Sequence, residues 1–165
     1  MQKLDLLKEM MIPIVQQCLA KHGGGESYFD ELDGMIKRNE RLLQNYLQYA
    51  ITSSNCNNVI VSGEIANILL KQIREYNMDV NLICVNGGLR KGHPVWSVTG
   101  NRTKLSSYWN YPLIFFDDSY YSGKTAKAVE DYVKAHDGKI LEKYVFYDGC
   151  PIRHNDVVSL YRYYE

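Results

Sequence analysis

The sequence predicts an α/β fold, a parallel sheet covered by helices, with a helical N-terminal extension. Three observations predict it. Apolar residues recur at three- and four-residue steps up to about residue 50. From Val59 onward, short apolar runs alternate with amphipathic stretches of about a dozen residues. The chain has 165 residues, 45% of them apolar and 23% charged, enough for one soluble globular domain with its own core. The pattern changes once, so residues 1–57 read as a helical segment, a possible hood or dimer element, and residues 58–165 as an α/β core.

Taken in order, Leu4, Leu7, Met11, Ile14, Cys18 and Leu19 mark an amphipathic helix, interrupted or bent near Pro13. The three glycines of HGGGES, from His22 to Ser27, stop it. Ser27 and Asp30 resemble a helix start, and the apolar positions from Leu32 to Ala50 continue one second, longer helix. TSSNCNN, from Thr52, is a polar break.

NVIVSGE is then a short strand ending in small residues, and IANILLKQIREY is a helix with Ile65, Ile68, Leu69 and Ile73 on one side. VNLICVNGG and PLIFFDD are further strands. KTAKAVEDYVKAHDG is a helix closed by Gly138, KILEKYVFYDG is a strand, and VVSLYRYY is a candidate last strand. The segment Val95–Tyr111 breaks the alternation and reads as a hairpin around Gly100-Asn101 or as a long mobile loop, a candidate lid. Strands joined by helices imply a parallel sheet, and such sheets bind ligands beyond the carboxyl ends of their strands. That rule selects the loops at Ser62–Glu64, Asn86–Pro94 and Asp117–Thr125.

Composition narrows the function classes. Nineteen basic and nineteen acidic residues cancel, which argues against a broadly basic nucleic-acid surface. Cys18, Cys56, Cys84 and Cys150 lie far apart, as do the four histidines, so neither a disulfide framework nor a zinc site is expected. No run approaches the roughly 18 apolar residues of a membrane span. A cytoplasmic protein with no membrane partner is the simplest expectation. Fourteen tyrosines are read mainly as half-buried surface residues.

The chemistry concentrates in PLIFFDDSYYSGKTAKAVEDYV, from Pro112 to Val133. Gly123-Lys124-Thr125 fits the second half of a nucleoside-triphosphate loop, G-x-x-x-x-G-K-[ST]. The first glycine of that pattern falls at position 118, where Asp118 stands and would repel a phosphate. A ribose phosphate uses both halves. Asp117 and Asp118 can face vicinal hydroxyls, while Ser122, Thr125, Lys124 and free N–H groups at a helix N-terminus suit a phosphate monoester.

LIFFDDSYYSGKT resembles the motif by which type I phosphoribosyltransferases bind phosphoribosyl pyrophosphate (PRPP). Leu113–Phe116 supply the apolar run, Asp117-Asp118 the acidic pair, and Ser122, Gly123 and Thr125 the phosphate end. Ser119 and Tyr120 stand where aliphatic residues are commoner, and Tyr121 where a small one is usual. The resemblance covers roughly residues 58–165. It implies a parallel-sheet phosphoribosyltransferase-like fold and transfer of ribose 5-phosphate from PRPP to a nucleobase-like acceptor. It further implies Mg²⁺ as cofactor, with Asp117 and Asp118 as catalytic residues. The ribose 5-phosphate would be held by Asp117, Asp118, Ser119, Tyr121, Ser122, Gly123, Lys124 and Thr125. Ser62, Gly63, Arg90 and Lys91 would receive the pyrophosphate, and a homodimer is plausible. Glu64 beside an anion site, and the bulky Tyr120-Tyr121 pair, keep open a non-catalytic PRPP- or nucleotide-binding regulatory module of the same fold.

Overall fold

The computed structural model describes residues 3–85, 95–98 and 112–164, the backbone alone for 95–98. Helix α1 (Lys3–His22) runs through Pro13 without a break and buries Leu7, Met11, Ile14, Val15 and Cys18. Gly23–Gly25 then turn the chain into α2 (Glu26–Arg38), which buries Tyr28, Leu32 and Ile36. Helix α3 (Glu40–Ser54) follows and buries Leu42, Leu43, Tyr46, Leu47 and Ala50. The single long helix expected here is therefore two. Asn39 separates them, because its side chain accepts a hydrogen bond from the Leu42 N–H at 3.1 Å and caps a new helix instead of continuing the old one.

The rest alternates: β1 (Asn58–Ser62), α4 (Glu64–Glu75), β2 (Asn81–Val85), β3 (Val95–Val98), β4 (Pro112–Tyr120), α5 (Lys124–Ala135), β5 (Lys139–Asp148) and β6 (Val157–Arg162). The strands form one sheet in the order β3-β2-β1-β4-β5-β6. All neighbours are parallel except β3, which runs antiparallel to β2 at the edge. Thus the first four residues of the expected lid belong to the sheet, while residues 99–111 lie outside the described residues. Strand β4 also runs two residues past the expected Asp118, because Ser119 and Tyr120 remain paired with Tyr147 and Asp148.

The period of two along each strand divides the core. Val59, Val61, Leu82, Cys84, Ile114, Phe116, Tyr144 and Phe146 join α1–α4 in one continuous apolar cluster. Ile60, Ile83, Val85, Leu113 and Phe115 face the other way and pack with Ala126, Val129 and Val133 of α5. Buried polar links tie the N-terminal helices to the sheet. Tyr46 Oη donates to the Val145 carbonyl at 2.9 Å, with the Val158 carbonyl at 3.0 Å, and Tyr28 Oη donates to Tyr147 Oη at 3.1 Å. At the far end of β6, Arg162 pairs with the buried Asp148 at 2.9 Å.

This arrangement positions the site. The chain leaves β1 toward β2 on one side and leaves β4 toward β5 on the other. The carboxyl ends of β1 and β4 are adjacent, and the connections diverge there, which opens a crevice at the switch point of the sheet.

Candidate functional site

A cleft of about 360 Å³ occupies that crevice. Ser62, Gly63, Glu64, Asp117, Asp118, Ser119, Tyr121, Ser122, Gly123, Lys124 and Thr125 all line it, so two of the three loops selected from sequence converge. Arg90 and Lys91 of the third lie outside the described residues, as do His93, Arg102, Lys104 and Trp109. Lys37 of α2 also lines the cleft.

The two aspartates differ. Asp117 is 9% exposed, and its Oδ1 accepts the Asp118 N–H at 2.8 Å. Burial, reinforced by the neighbouring Asp118 charge, pushes its carboxyl well above the usual range. Asp118 follows on the opposite face of the strand. Its Oδ1 accepts from the Ser119 hydroxyl at 3.3 Å, and its Oδ2 lies 3.5 Å from the Lys37 ammonium. The ammonium also lies 3.3 Å from Glu64 Oε2. Burial disfavours the Lys37 charge, but Asp118, Glu64 and Asp33 outweigh it and raise its pKa.

The loop after β4 gives a second kind of group. Gly123 is the N-cap of α5 in the left-handed region (φ 76°) and brings no capping side chain of its own, while the Ser122 hydroxyl accepts the Lys124 N–H at 3.4 Å. A Cβ at this position would meet the Tyr120 hydroxyl at 2.5 Å, so conformation and space both require glycine. The first-turn N–H groups of α5, which have no intrahelical partners, face the same cleft as Lys124 and Thr125. Across it, Gly63 (φ 78°) caps α4, likewise without a side-chain cap. The cleft thus joins carboxylates suited to hydroxyls with two glycine-headed helix starts suited to anions.

Tyr120 and Tyr121 depart from the motif for reasons of packing. The Tyr120 ring contacts His154 at a centroid distance of 5.5 Å and closes over Gly123. The Tyr121 ring packs on Phe29 at 5.1 Å and Tyr147 at 6.1 Å. Gly149 makes room for it, since a Cβ there would come within 2.5 Å of that ring. The Tyr121 side chain is therefore turned toward α2 and β5. Its hydroxyl is buried without a completed hydrogen bond, although the Ser119 hydroxyl lies close.

Sequence reasoning missed Lys37 and Asp33, both on α2. A signal existed: they share one helical stripe with Phe29, at steps of four. A larger groove, about 540 Å³, lies between α1 and β6, away from the switch point, and its Asp148 and Arg162 are already paired. Among the described residues no cluster of three His, Cys, Asp or Glu side chains is placed to hold a metal ion, and no helix is long and apolar enough to cross a membrane.

No protein-family model matches the chain, and no curated protein does. Solved structures do resemble it. Orotate phosphoribosyltransferase of Mycobacterium tuberculosis H37Rv, in complex with PRPP, is 9% identical, with a TM-score of 0.52 over 88% of this chain and 76% of that one. Purine phosphoribosyltransferase of Pyrococcus horikoshii Ot3 is 13% identical, with a TM-score of 0.51 over 76% of this chain and 82% of that one. UMP synthase of Leishmania donovani is 13% identical with a TM-score of 0.52; the match covers 75% of this chain but only 27% of that longer protein. The expected fold is therefore correct: the chain has the α/β fold of the type I phosphoribosyltransferases, with a helical N-terminal region.

Proposed function

We propose that the protein is a phosphoribosyltransferase, moving ribose 5-phosphate from PRPP to a ring nitrogen of a small heterocyclic acceptor and releasing pyrophosphate. One observation carries the reading. Asp118, at the carboxyl end of a central strand, shares a single cleft with the glycine-headed start of α5 and with the Ser62-Gly63 turn. The fold shared with enzymes of that name supports it.

In this reading the N–H groups of Gly123, Lys124 and Thr125, with the Ser122 and Thr125 hydroxyls, hold the 5-phosphate. Asp118 accepts from the ribose hydroxyls and places negative charge near C1. Asp117 sits behind it and orients it through the Asp118 N–H. The acceptor nitrogen attacks C1 while the C1–O bond to pyrophosphate breaks, so the ribose passes through a cationic transition state that Asp118 stabilises. Ser62, Gly63, Arg90 and Lys91 receive the leaving pyrophosphate. The oxygen donors of Asp118 and Glu64 would hold a hard cation such as Mg²⁺, which would supply positive charge to offset that of the pyrophosphate.

Titration calorimetry with PRPP and Mg²⁺ tests the reading. Binding is expected in the native chain and is expected to be lost in Asp118→Asn and in Gly123→Trp. Absence of heat at millimolar PRPP sinks it. Glu64 favours a second reading, because its carboxylate opens the helix that faces the pyrophosphate. PRPP binding without pyrophosphate release, against purines, pyrimidines and orotate, favours a regulatory module of the same fold.

A further inference from the structure

Strand β6 ends the sheet and has a partner strand, β5, on one side only. The Lys143 N–H donates to the Asp156 carbonyl at 2.9 Å, which fixes the alternation along β6. Val158 and Leu160 turn their backbone groups toward β5, and Val157, Ser159 and Tyr161 turn theirs outward. The Val157 N–H donates to the His154 carbonyl at 3.2 Å. The N–H and C=O groups of Ser159 and Tyr161 face no strand. Such an edge is usually blunted by proline, lysine or a bulge, and from Val157 to Tyr161 there is none of these.

The groove of about 540 Å³ follows this edge. Every residue from Val157 to Arg162 lines it, and Leu4, Lys8 and Ile12, at steps of four on α1, form the opposite wall. Consecutive strand residues point to alternate faces, so a groove touching all six runs along the edge and not over one face. Exposed apolar side chains gather round it. Of the seven large ones among the described residues, Ile12 stands in the wall, Ile152 precedes β6, and Tyr163 and Tyr164 follow it. Single exposed apolar residues are ordinary, but a gathering beside an open edge marks an interaction surface. The lining is also basic: Lys8, Arg153 and Arg162 stand against Asp148 alone, which Arg162 holds at 2.9 Å.

We propose that the β6 edge and the α1 wall take up an extended, acidic segment of a partner protein by strand addition. The main chain of the segment pairs with Ser159 and Tyr161, its acidic side chains meet Lys8 and Arg153, and its apolar side chains meet Leu4 and Ile12. Charge selects the occupant. A second copy would bring the same basic lining to the junction, so the sign favours an acidic partner over self-pairing. The surface lies away from the switch point and stands apart from the ribose-phosphate reading of the cleft.

Panning the full chain against a display library of random linear dodecapeptides tests the proposal, with recovered peptides synthesised and their affinities read by fluorescence anisotropy. The recovered sequences are expected to alternate Asp or Glu with apolar residues. N-methylation of one of the two alternate sets of amides keeps every side chain and is expected to weaken binding about tenfold, the other set much less. Lys8→Glu is expected to weaken binding about tenfold, and Ser159→Pro to abolish it. The Ser159 N–H faces outward, so proline there removes no bond to β5, and far-ultraviolet circular dichroism should be unchanged. The N-methylated peptides read the same pairing on the unaltered chain. The proposal is overturned if no peptide is recovered, if the recovered peptides are neutral or basic, or if neither set of N-methyl groups weakens binding. Sedimentation equilibrium showing a dimer that Ser159→Pro dissociates also overturns it, because the edge then belongs to a second copy.

Discussion

At the scale of single residues, the burial beside the cleft costs stability most directly at Asp33. Its carboxyl titrates near 7 in the folded chain, against 3.8 for the ordinary side chain. A raised carboxyl pKa means that the native state holds the proton more tightly than the unfolded state. Its contribution is therefore fully present below about pH 4 and is lost as pH rises toward about 7. Asp33→Asn removes the penalty. After discounting for partial solvent access, the variant is expected to be about 1–3 kcal/mol more stable than the native chain at pH 8, and about equal at pH 4. Urea midpoints at the two pH values read this out. A variant less stable at pH 8 contradicts the burial and charge assigned to Asp33.

At the scale of elements, α2 carries the N-terminal region into the cleft. Its inner stripe ends in Lys37, whose ammonium is shared by Glu64 and Asp118. In the proposed reading, a pyrophosphate at the Ser62-Gly63 turn would meet that cation. Lys37→Met is expected to weaken PRPP binding about tenfold with little change in the urea midpoint, because the charge leaves but the stem still packs. Unchanged PRPP affinity removes α2 from the substrate site. The strand–loop–helix from Pro112 to Val133 was legible in the sequence because its signals are local: an apolar run, two acids, a glycine and a helical period. Lys37 and Asp33 were not legible as site residues. They are brought to Asp118 only by the crossing of α2 over β4, about eighty residues away in the chain, and no local pattern encodes that crossing. The break at Asn39 is hidden in the sequence because the apolar period runs on through α2 and α3 past a side chain able to cap. The bulk of Tyr121 is accommodated by Gly149, after β5, a partner that the local motif does not contain.

At the scale of the whole molecule, the boundary near residue 57 separates patterns in the sequence but does not separate cores. Leu42, Tyr46 and Leu47 of α3 and Met11 of α1 are fully buried in the same apolar cluster as Phe116, Tyr144 and Phe146 of the sheet. The other sheet face relies on the smaller cluster against α5. Removing residues 1–57 would leave α4 against β1 and β2 but strip α1–α3 from the rest of that face, uncovering two phenylalanines and two tyrosines of β4 and β5 that are fully buried in the native chain. It would also strip the Tyr46 hydroxyl from the carbonyls of Val145 and Val158. At about 25 cal/mol per Å², with aromatic side chains burying roughly 150–250 Å² each, four such residues alone represent more apolar stabilisation than the few kcal/mol by which a domain is usually stable. The intact chain is therefore expected to unfold in one step, with coincident midpoints by far-ultraviolet and near-ultraviolet circular dichroism. The fragment 58–165 is expected to lack a cooperative transition and to aggregate or bind hydrophobic dye. A fragment that melts cooperatively and binds PRPP would show instead that the α/β core folds alone and that α2 is an accessory to the cleft.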